Sequence, residues 1–558
     1  MDMADSSTRA DDVVKREEWP AEPSSTPSGG GVSSADRPAD ARQQAPVRWR
    51  EFLAVLLLVI VSDLTIYRGR GFAGYALLFA AAPALLWLGA IRPRFGPGLW
   101  ITGLMLLALA AKTLWLGSPL LVGLGMALLV AFAMTLSGLY PYVLEVVVFA
   151  SQTVLAGYEG ILHYARSASG LRPVSDRASW LSVGLPLAAL LAFGMLFILA
   201  NPDLLASFGD TVEWLVDLLR QWILHFSPEA SEVLFWMAVC WIAVGLLRPV
   251  VKGTVFERAS DGAQREAAAA EPPAPALLYA PFRNTLATVA VLFAVYLVFE
   301  FQTLWFQEFP EGFYYSGYAH EGAAWLTVAL GLATVILSLI FRGRVLRDPR
   351  VSTLRRLAWI WSAENLLLAL AVYHRMGIYI GFNGMTRMRT VGLFGMSCVV
   401  AGFVLVVGKI VRHRDFVWLV RRQLWALALT VYLFALTPVD TLVVSYNVRR
   451  ILSGDPAPSV QISVHPISSE GVLLLKPLLD CDDPVIREGV RAMLAQRDDE
   501  AEALARERRQ RGWTAYQAAD RLALEGLRAD RGRWAEYRDR QRRAAALDRF
   551  HKYAYQWY

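Results

Sequence analysis

The sequence predicts an all-α protein: a polytopic transmembrane helical bundle of about eleven spans, followed by a soluble helical C-terminal tail. Three observations carry this prediction. The 558 residues have a mean hydropathy of +0.37 with only 19% charged residues, too few to clothe several soluble domains. The apolar residues fall in blocks close to the ~20 residues a helix needs to cross the hydrocarbon core. The 19 Trp and 20 Tyr suit a protein with two membrane interfaces to fill.

The first fifty residues, rich in Ser, Ala, Pro, Asp and Gly, read as a disordered arm. "FLAVLLLVIVSDLTIY" follows as an uncleaved first membrane helix. Membrane-length blocks then run at 52–67, 73–91, 99–116 and 118–139, at 180–200, 231–249 and 283–303, and at 322–341, 356–374, 388–411 and 422–438. Residues 142–163 are ambiguous. Glu145, Gln152 and Glu159 recur every seven residues, so on a helix they form one stripe that drifts about 20° per heptad. A spanning helix would turn that stripe toward a cavity; an interfacial helix would turn it toward water. The interfacial reading is preferred, because a further span would place the basic 250–283 segment outside. Residues 211–226 read as a second surface helix.

Lys and Arg in short loops set the orientation. Segments 250–283, 342–356 and 409–422 are strongly basic and are expected in the cytoplasm, whereas 304–321 carries Glu308, Glu311 and Glu321 with no Lys or Arg and is expected outside. The stretch 317–347 follows the same logic: His320 and Glu321, then an apolar run, then arginines. The N-terminus is therefore expected in the cytoplasm and the tail, 441–558, outside. In the tail, "GVLLLKPLLDCDDPVIREGVRAMLAQR" reads as two short amphipathic helices broken at Asp482-Asp483-Pro484. Charged helices are expected at 499–511 and 527–549, and the aromatic end "FHKYAYQWY" suits docking on a surface.

Several segments in order, "SDLTIYRGRGFAGYALL" (62–78), "FILANPDLL" (197–205), "GYAHEGAAWLTVALGLATVIL" (317–337), "NGMTRMRTVGLFGM" (383–396) and "LTPVDTLVVSYNVRR" (436–450), resemble the bacterial membrane-protein family of domain of unknown function 4173, with its close relative 4153. The likeness covers roughly 52–450. The turn reading Met385-Thr386-Arg387-Met388-Arg389 departs from that family's pattern. The resemblance implies many spans in a bacterial inner membrane; it supplies no reaction.

The polar residues inside the apolar blocks are the functional candidates. Asp63 is expected to pair with Arg68 or Arg70, and Lys112 to snorkel to the headgroups. Glu364 and Asn365 sit near the middle of one helix, where a lone carboxylate costs several kcal/mol; with Glu145, Gln152 and Glu159 they form a candidate intramembrane polar site. They suit an interhelical hydrogen bond or a substrate or proton site. Arg375, Arg387 and Arg389 form a candidate outer anion rim, with ion pairing to the 304–321 segment as the simpler account and a lipid head or anionic solute as the sharper one. His320 and Glu321 are expected at a helix start, and Asn201-Pro202 and Tyr446-Asn447 read as helix-end stops.

No Walker A loop, G-x-S-x-G, H-E-x-x-H or G-x-G-x-x-G motif occurs. Cys240, Cys398 and Cys481 lack disulfide or zinc spacing, and no catalytic residue, metal or cofactor is expected. The basic residues orient helices, so nucleic acid is not an expected partner; the lipid bilayer and a protein bound by the tail are. The leading expectation is a non-enzymatic envelope scaffold or sensor with a partner-binding tail. A small-solute or ion transporter, and a membrane enzyme acting on a lipid-linked anionic substrate, are the alternatives.

Overall fold

A computed structural model describes residues 47–91, 93–170, 229–249, 278–302, 315–341, 348–412, 414 and 416–557, with the side chains of 165–170, 315–324 and 416 left aside. Among these residues there is no strand. The expected span at 180–200, the surface helix at 211–226, Asn201-Pro202, the 304–314 part of the acidic loop and the side chains of His320 and Glu321 lie outside the described residues.

The chain opens with α1 (Trp49–Ser62), which widens into a π-turn over Asp63–Tyr67. Helices α2 (Phe72–Gly89), α3 (Pro97–Trp115) and α4 (Pro119–Leu136) form an up-and-down set, followed by α5 (Val143–Gly170) and α6 (Ala230–Leu247). Pro97 and Pro119 stand in the first turns of α3 and α4, where a missing N–H costs nothing, and the Ser118 hydroxyl caps α4. Then come α7 (Tyr279–Glu300), α8 (Tyr315–Ile340), α9 (Val351–Asn383), α10 (Arg387–Val411) and α11 (Phe416–Leu436). Eight described helices are long and apolar enough to cross a membrane: α2, α3, α4, α6, α7, α9, α10 and α11; Trp325–Ile340 within α8 is a shorter apolar stretch.

Two packing groups make the bundle. The first gathers α1 to α6 around Phe79, Leu106, Leu109, Phe132 and Phe149. Small residues bring its backbones together: Gly125 lies against the Phe79 ring, and at the α5–α6 crossing a methyl on Gly245 would overlap the Thr153 carbonyl. The second group packs α7 to α10 around Trp361, Leu330, Leu337 and Val406. Helix α11 bridges them, packing on α10 and also on α3, α4 and α5.

Helix α9 runs 33 residues, roughly 50 Å, continuing well past the expected end of its apolar block at 374. The α12 helix (Val439–Leu452) contains Tyr446 and Asn447 in its interior, correcting their reading as a stop. It leads into α13 (Ser459–Val464), a 3-10 helix (Val472–Asp480), α14 (Pro484–Arg511), a 3-10 turn (Trp513–Ala515), α15 (Ala518–Ala529), a 3-10 helix (Arg531–Arg538), α16 (Arg540–Ala554) and a last 3-10 turn, Tyr555–Trp557. The expected break at 482–484 is present, with Asp483 capping α14 through the Val485 and Ile486 amides at 2.8 and 3.2 Å. The expected separate helix at 499–511 is the second half of α14, and the expected helix at 527–549 divides at Asp530 and Asp539. This C-terminal domain has its own core, built on Val460, Leu475, Leu478, Val490, Leu494, Trp534 and Phe550. It covers one end of the bundle, here the capped end; the opposite end is the open end.

Candidate functional site

Several buried charges in the bundle are paired, as a low-dielectric setting favours. At the open end, Arg248 at the end of α6 holds Glu51 of α1 through Nε–Oε1 and Nη2–Oε2 contacts of 2.5 and 2.9 Å, with both side chains 1% exposed. The Tyr164 ring of α5 lies 5.3 Å from that guanidinium. Also at the open end, Arg421 at the start of α11 reaches Glu145 at 2.5 Å and lies 4.4 Å from the Tyr142 ring. Both stretches of α5 that carry these contacts, near 145 and near 164, thus meet open-end termini of other helices.

The polar stripe of α5 does not act as a unit. Glu145 is buried against Arg421, Gln152 is half-buried with Oε1 lacking a hydrogen bond among the described residues, and Glu159 is exposed. Glu364 and Asn365 lie on α9, which packs on α7, α8 and α10, whereas α5 packs on α4, α6 and α11. The structure therefore divides the expected intramembrane polar site between two packing groups. Asn365 is fully buried and donates to the Trp361 carbonyl one turn back at 2.7 Å, rather than across to another helix. Among the described residues, Asn365 Oδ1, Glu364 Oε2 and Trp361 Nε1 have no hydrogen-bond partner.

The arginine rim also separates. Arg375 is interior: it forms a two-point ion pair with Glu300, the last residue of α7, which also accepts from Tyr296 at 2.8 Å. Arg387 pairs with Asp440 of α12 through both guanidinium and carboxylate arms. The acidic residues expected as partners in the 304–321 segment, Glu308, Glu311 and Glu321, lie outside the described side chains. Arg389 is 5% exposed and meets no carboxylate among the described residues; it donates to the Gly384 carbonyl and Asn383 Oδ1 and lies 3.7 Å from the Tyr379 ring centre.

At the capped end, three loops of the bundle receive the C-terminal domain. In the first, Arg68 binds Asp63 at 3.0 Å and Glu232 at 2.6 Å, and Trp236 Nε1 donates to Asp63 at 2.8 Å. The backbone after it meets the 513–515 turn: the Arg70 amide donates to Thr514 Oγ1 at 3.0 Å, and Gly71 abuts the Ala515 backbone. In the second, the Gln517 amide bridges the Gly117 N–H and the Thr113 carbonyl, and Lys112 pairs with Glu470 instead of reaching for headgroups. In the third, Asn447 clamps Met385 by accepting from its N–H at 2.7 Å and donating to its carbonyl at 2.9 Å. The last aromatic segment also returns to the bundle: Asn383 Nδ2 donates to the Trp557 carbonyl at 3.5 Å.

Between the third loop and the C-terminal domain lies a cavity of about 250 Å³. Its polar residues include Arg387, Asp440, Asn447, Gln461 and His465. Burial works against the Asp440 carboxylate, but hydrogen bonds from Arg387 and the Ser468 amide hold it below the usual carboxylate range. Burial, followed by the positive charges of Arg389 and Arg387, pushes the His465 imidazole below its ordinary value.

A family model described as Domain of unknown function (DUF4153) matches residues 43–469, more than two thirds of the chain. The chain belongs to the DUF4153 family. Of the two related families that the sequence resembles, the match is to 4153 and not to 4173. No curated protein and no solved structure matches. With its apolar helices, this DUF4153 member is a multi-pass membrane protein of unknown activity. The matched region takes in the bundle and every residue that lines the seam cavity; 470–558 extends beyond it.

The sequence reading missed Glu51, Glu232, Arg248 and Glu300 as charge partners, and Glu470, Gln517 and Asn447 as clamps. One signal was present. Two of the motifs behind the family resemblance, 383–396 and 436–450, meet in space through Arg387–Asp440 and Met385–Asn447.

Proposed function

We propose that this DUF4153 protein is a non-enzymatic scaffold or sensor of a bacterial inner membrane, its C-terminal domain held outside the cytoplasm to engage a protein partner. The observation that carries the proposal is the clamp. A domain with its own core is fastened to three separate bundle loops: by Thr514 to the first, by Gln517 and Lys112–Glu470 to the second, and by Asn447 to the third. A domain held this way can pass a change at its surface to several helices at once.

Sidedness follows the distribution of charge. Arg412, Arg414, Arg421 and Arg422 gather at the open end, which suits the cytoplasm. At the capped end Arg68, Arg375 and Arg387 each have an acidic partner, which removes the conflict of arginines on an outer face. In this reading 1–50 is a cytoplasmic arm, 51–440 the membrane domain, and 142–163 an interfacial helix tied at both contact points to the open end.

The test uses intact cells. Reporters active only outside the cytoplasm are fused at 265 and at 500, and photo-crosslinkers are placed at exposed Arg521 and Arg549. The expected result is a silent 265 fusion, an active 500 fusion and discrete adducts with one protein that a chain ending at 438 does not form. An active 265 fusion, or a well-inserted chain with no discrete adduct from either position, overturns the proposal.

The unpartnered atoms of Trp361, Glu364 and Asn365 favour one second reading, a small-solute or ion carrier. Proton or solute flux in vesicles that Glu364→Gln abolishes would establish it over the scaffold.

A further inference from the structure

The seam cavity lies where the α10 N-terminus, α12 and α13 converge. One wall is apolar, made by Val443, Val444, Ile462 and Ile467. The other carries the polar side chains of Arg387, Asp440, Asn447, Gln461 and His465. Gln461 is 6% exposed and lines the cavity, yet its side-chain amide makes no hydrogen bond among the described residues. Held in a mostly buried side chain and opening onto the cavity, this unengaged amide is placed to meet a ligand there. Thr386 caps α10 through the Arg389 N–H, leaving the Arg387 and Met388 amides of a 25-residue helix without a bond among the described residues, at the positive end of its dipole.

The charge balance is positive. The carboxylate on the wall, Asp440, is saturated by Arg387 and the Ser468 amide, so its charge is matched within the protein. Arg389, two residues along α10 from Arg387 on the cavity wall, has only neutral hydrogen-bond partners among the described residues. The outer edge carries Met388, 73% exposed. A pocket with an apolar wall, a few converging donors and an apolar lip suits a small amphiphile.

We propose that the seam cavity binds an anionic amphiphile, with a phosphate or carboxylate head at Gln461 and the α10 first-turn amides and its first methylenes along Val443 and Ile462 toward Met388. This is independent of which face of the membrane the C-terminal domain occupies and of any protein partner. The chemistry fits two sources, the phosphate head of a bilayer lipid and a free single-chain acid.

The test takes the full chain purified in a neutral detergent. Decyl phosphate, oleate, dioleoyl phosphatidylglycerol and, as the zwitterionic control, decyl phosphocholine are titrated separately. Bound stoichiometry is read by native mass spectrometry and stabilisation by thermal unfolding. The expected result is one bound anion with a raised Tm, weakened at least about 10-fold by Gln461→Leu and abolished by Val443→Phe, which fills the cavity. Arg528→Gln, remote from the seam, binds as the parent does. Phosphatidylglycerol binding assigns the site to bilayer lipid; binding of decyl phosphate or oleate alone assigns it to a free amphiphile. The proposal is overturned if no anion binds, if the phosphocholine binds equally well, or if folded Gln461→Leu and Val443→Phe proteins bind as the parent does. If one variant fails to fold, the other decides.

Discussion

Arg375 and Glu300 face each other in parallel, Nε to Oε1 at 2.6 Å and Nη2 to Oε2 at 2.5 Å, with neither side chain more than 5% exposed. The pair joins α9 to the end of α7 inside the bundle. Its role is to neutralise a charge that the length of α9 carries indoors. Removing one partner strands the other, which costs far more than removing both. Glu300→Ala is therefore expected to destabilise the chain by about 3–5 kcal/mol. The double variant Glu300→Leu/Arg375→Met should recover most of that loss. Thermal unfolding in detergent, with the two single variants alongside, distinguishes a stranded charge from simple loss of packing.

Lys112 and Glu470 tie α3 to the C-terminal domain, and their side chains are only 12% and 5% exposed. Lys112→Ala leaves Glu470 without its counter-charge, a loss of about 2–5 kcal/mol for truncating one side of such a pair. The expected readout is faster amide exchange in 465–480 and 512–518, with the bundle helices unchanged. Reversing the pair, Lys112→Glu with Glu470→Lys, should restore protection.

Gly71 needs room, not an unusual backbone. Its φ of −166° and ψ of 172° are open to any residue, but an added methyl would overlap the Ala515 backbone. Because neither side is a flexible side chain, Gly71→Ala should lift the 513–515 turn away from the hairpin. Protease cleavage between 508 and 517 is expected to accelerate, whereas Gly532→Ala, with open space around it, should have no effect.

Two groups at the seam set its acid response. His465 is held below its ordinary value by burial and by Arg389 and Arg387, and Asp440 below its own by donors from Arg387 and Ser468. Both folded values are depressed, so both contributions are complete above the unfolded values and are lost as pH falls through the folded ones. Arg387 and Arg389 stay charged throughout. The seam should therefore loosen in two steps on acidification, first below the usual imidazole range and then below the usual carboxylate range. Amide exchange of 459–468 across that range is the measurement, and His465→Gln should remove the first step alone.

The membrane helices were legible because an apolar run of ~20 residues has few other stable outcomes. The partners of their charges were not, because each partner sits on a helix distant in the chain: 197 residues separate Glu51 from Arg248, and 276 separate Glu145 from Arg421. The charged composition after 484 concealed the C-terminal core. Trp534 and Tyr537 are buried while Trp513 and Tyr516 are exposed, and nothing local in the sequence separates the two pairs. His374-Arg375 resembles the end of a span only until Glu300 is brought beside it. Tyr446-Asn447 resembles a stop until Met385 arrives to use the Asn447 amide.

The clamp has a consequence for how the molecule is made. Arg70 waits for Thr514 across 444 residues, and Gly117 for Gln517 across 400. At synthesis rates of about 5–20 residues per second, that interval lasts roughly 20–90 seconds. Throughout it the early helices are already threaded with their loops uncovered, so nascent chains need shielding from the insertion apparatus or a chaperone until the ribosome delivers the closing residues.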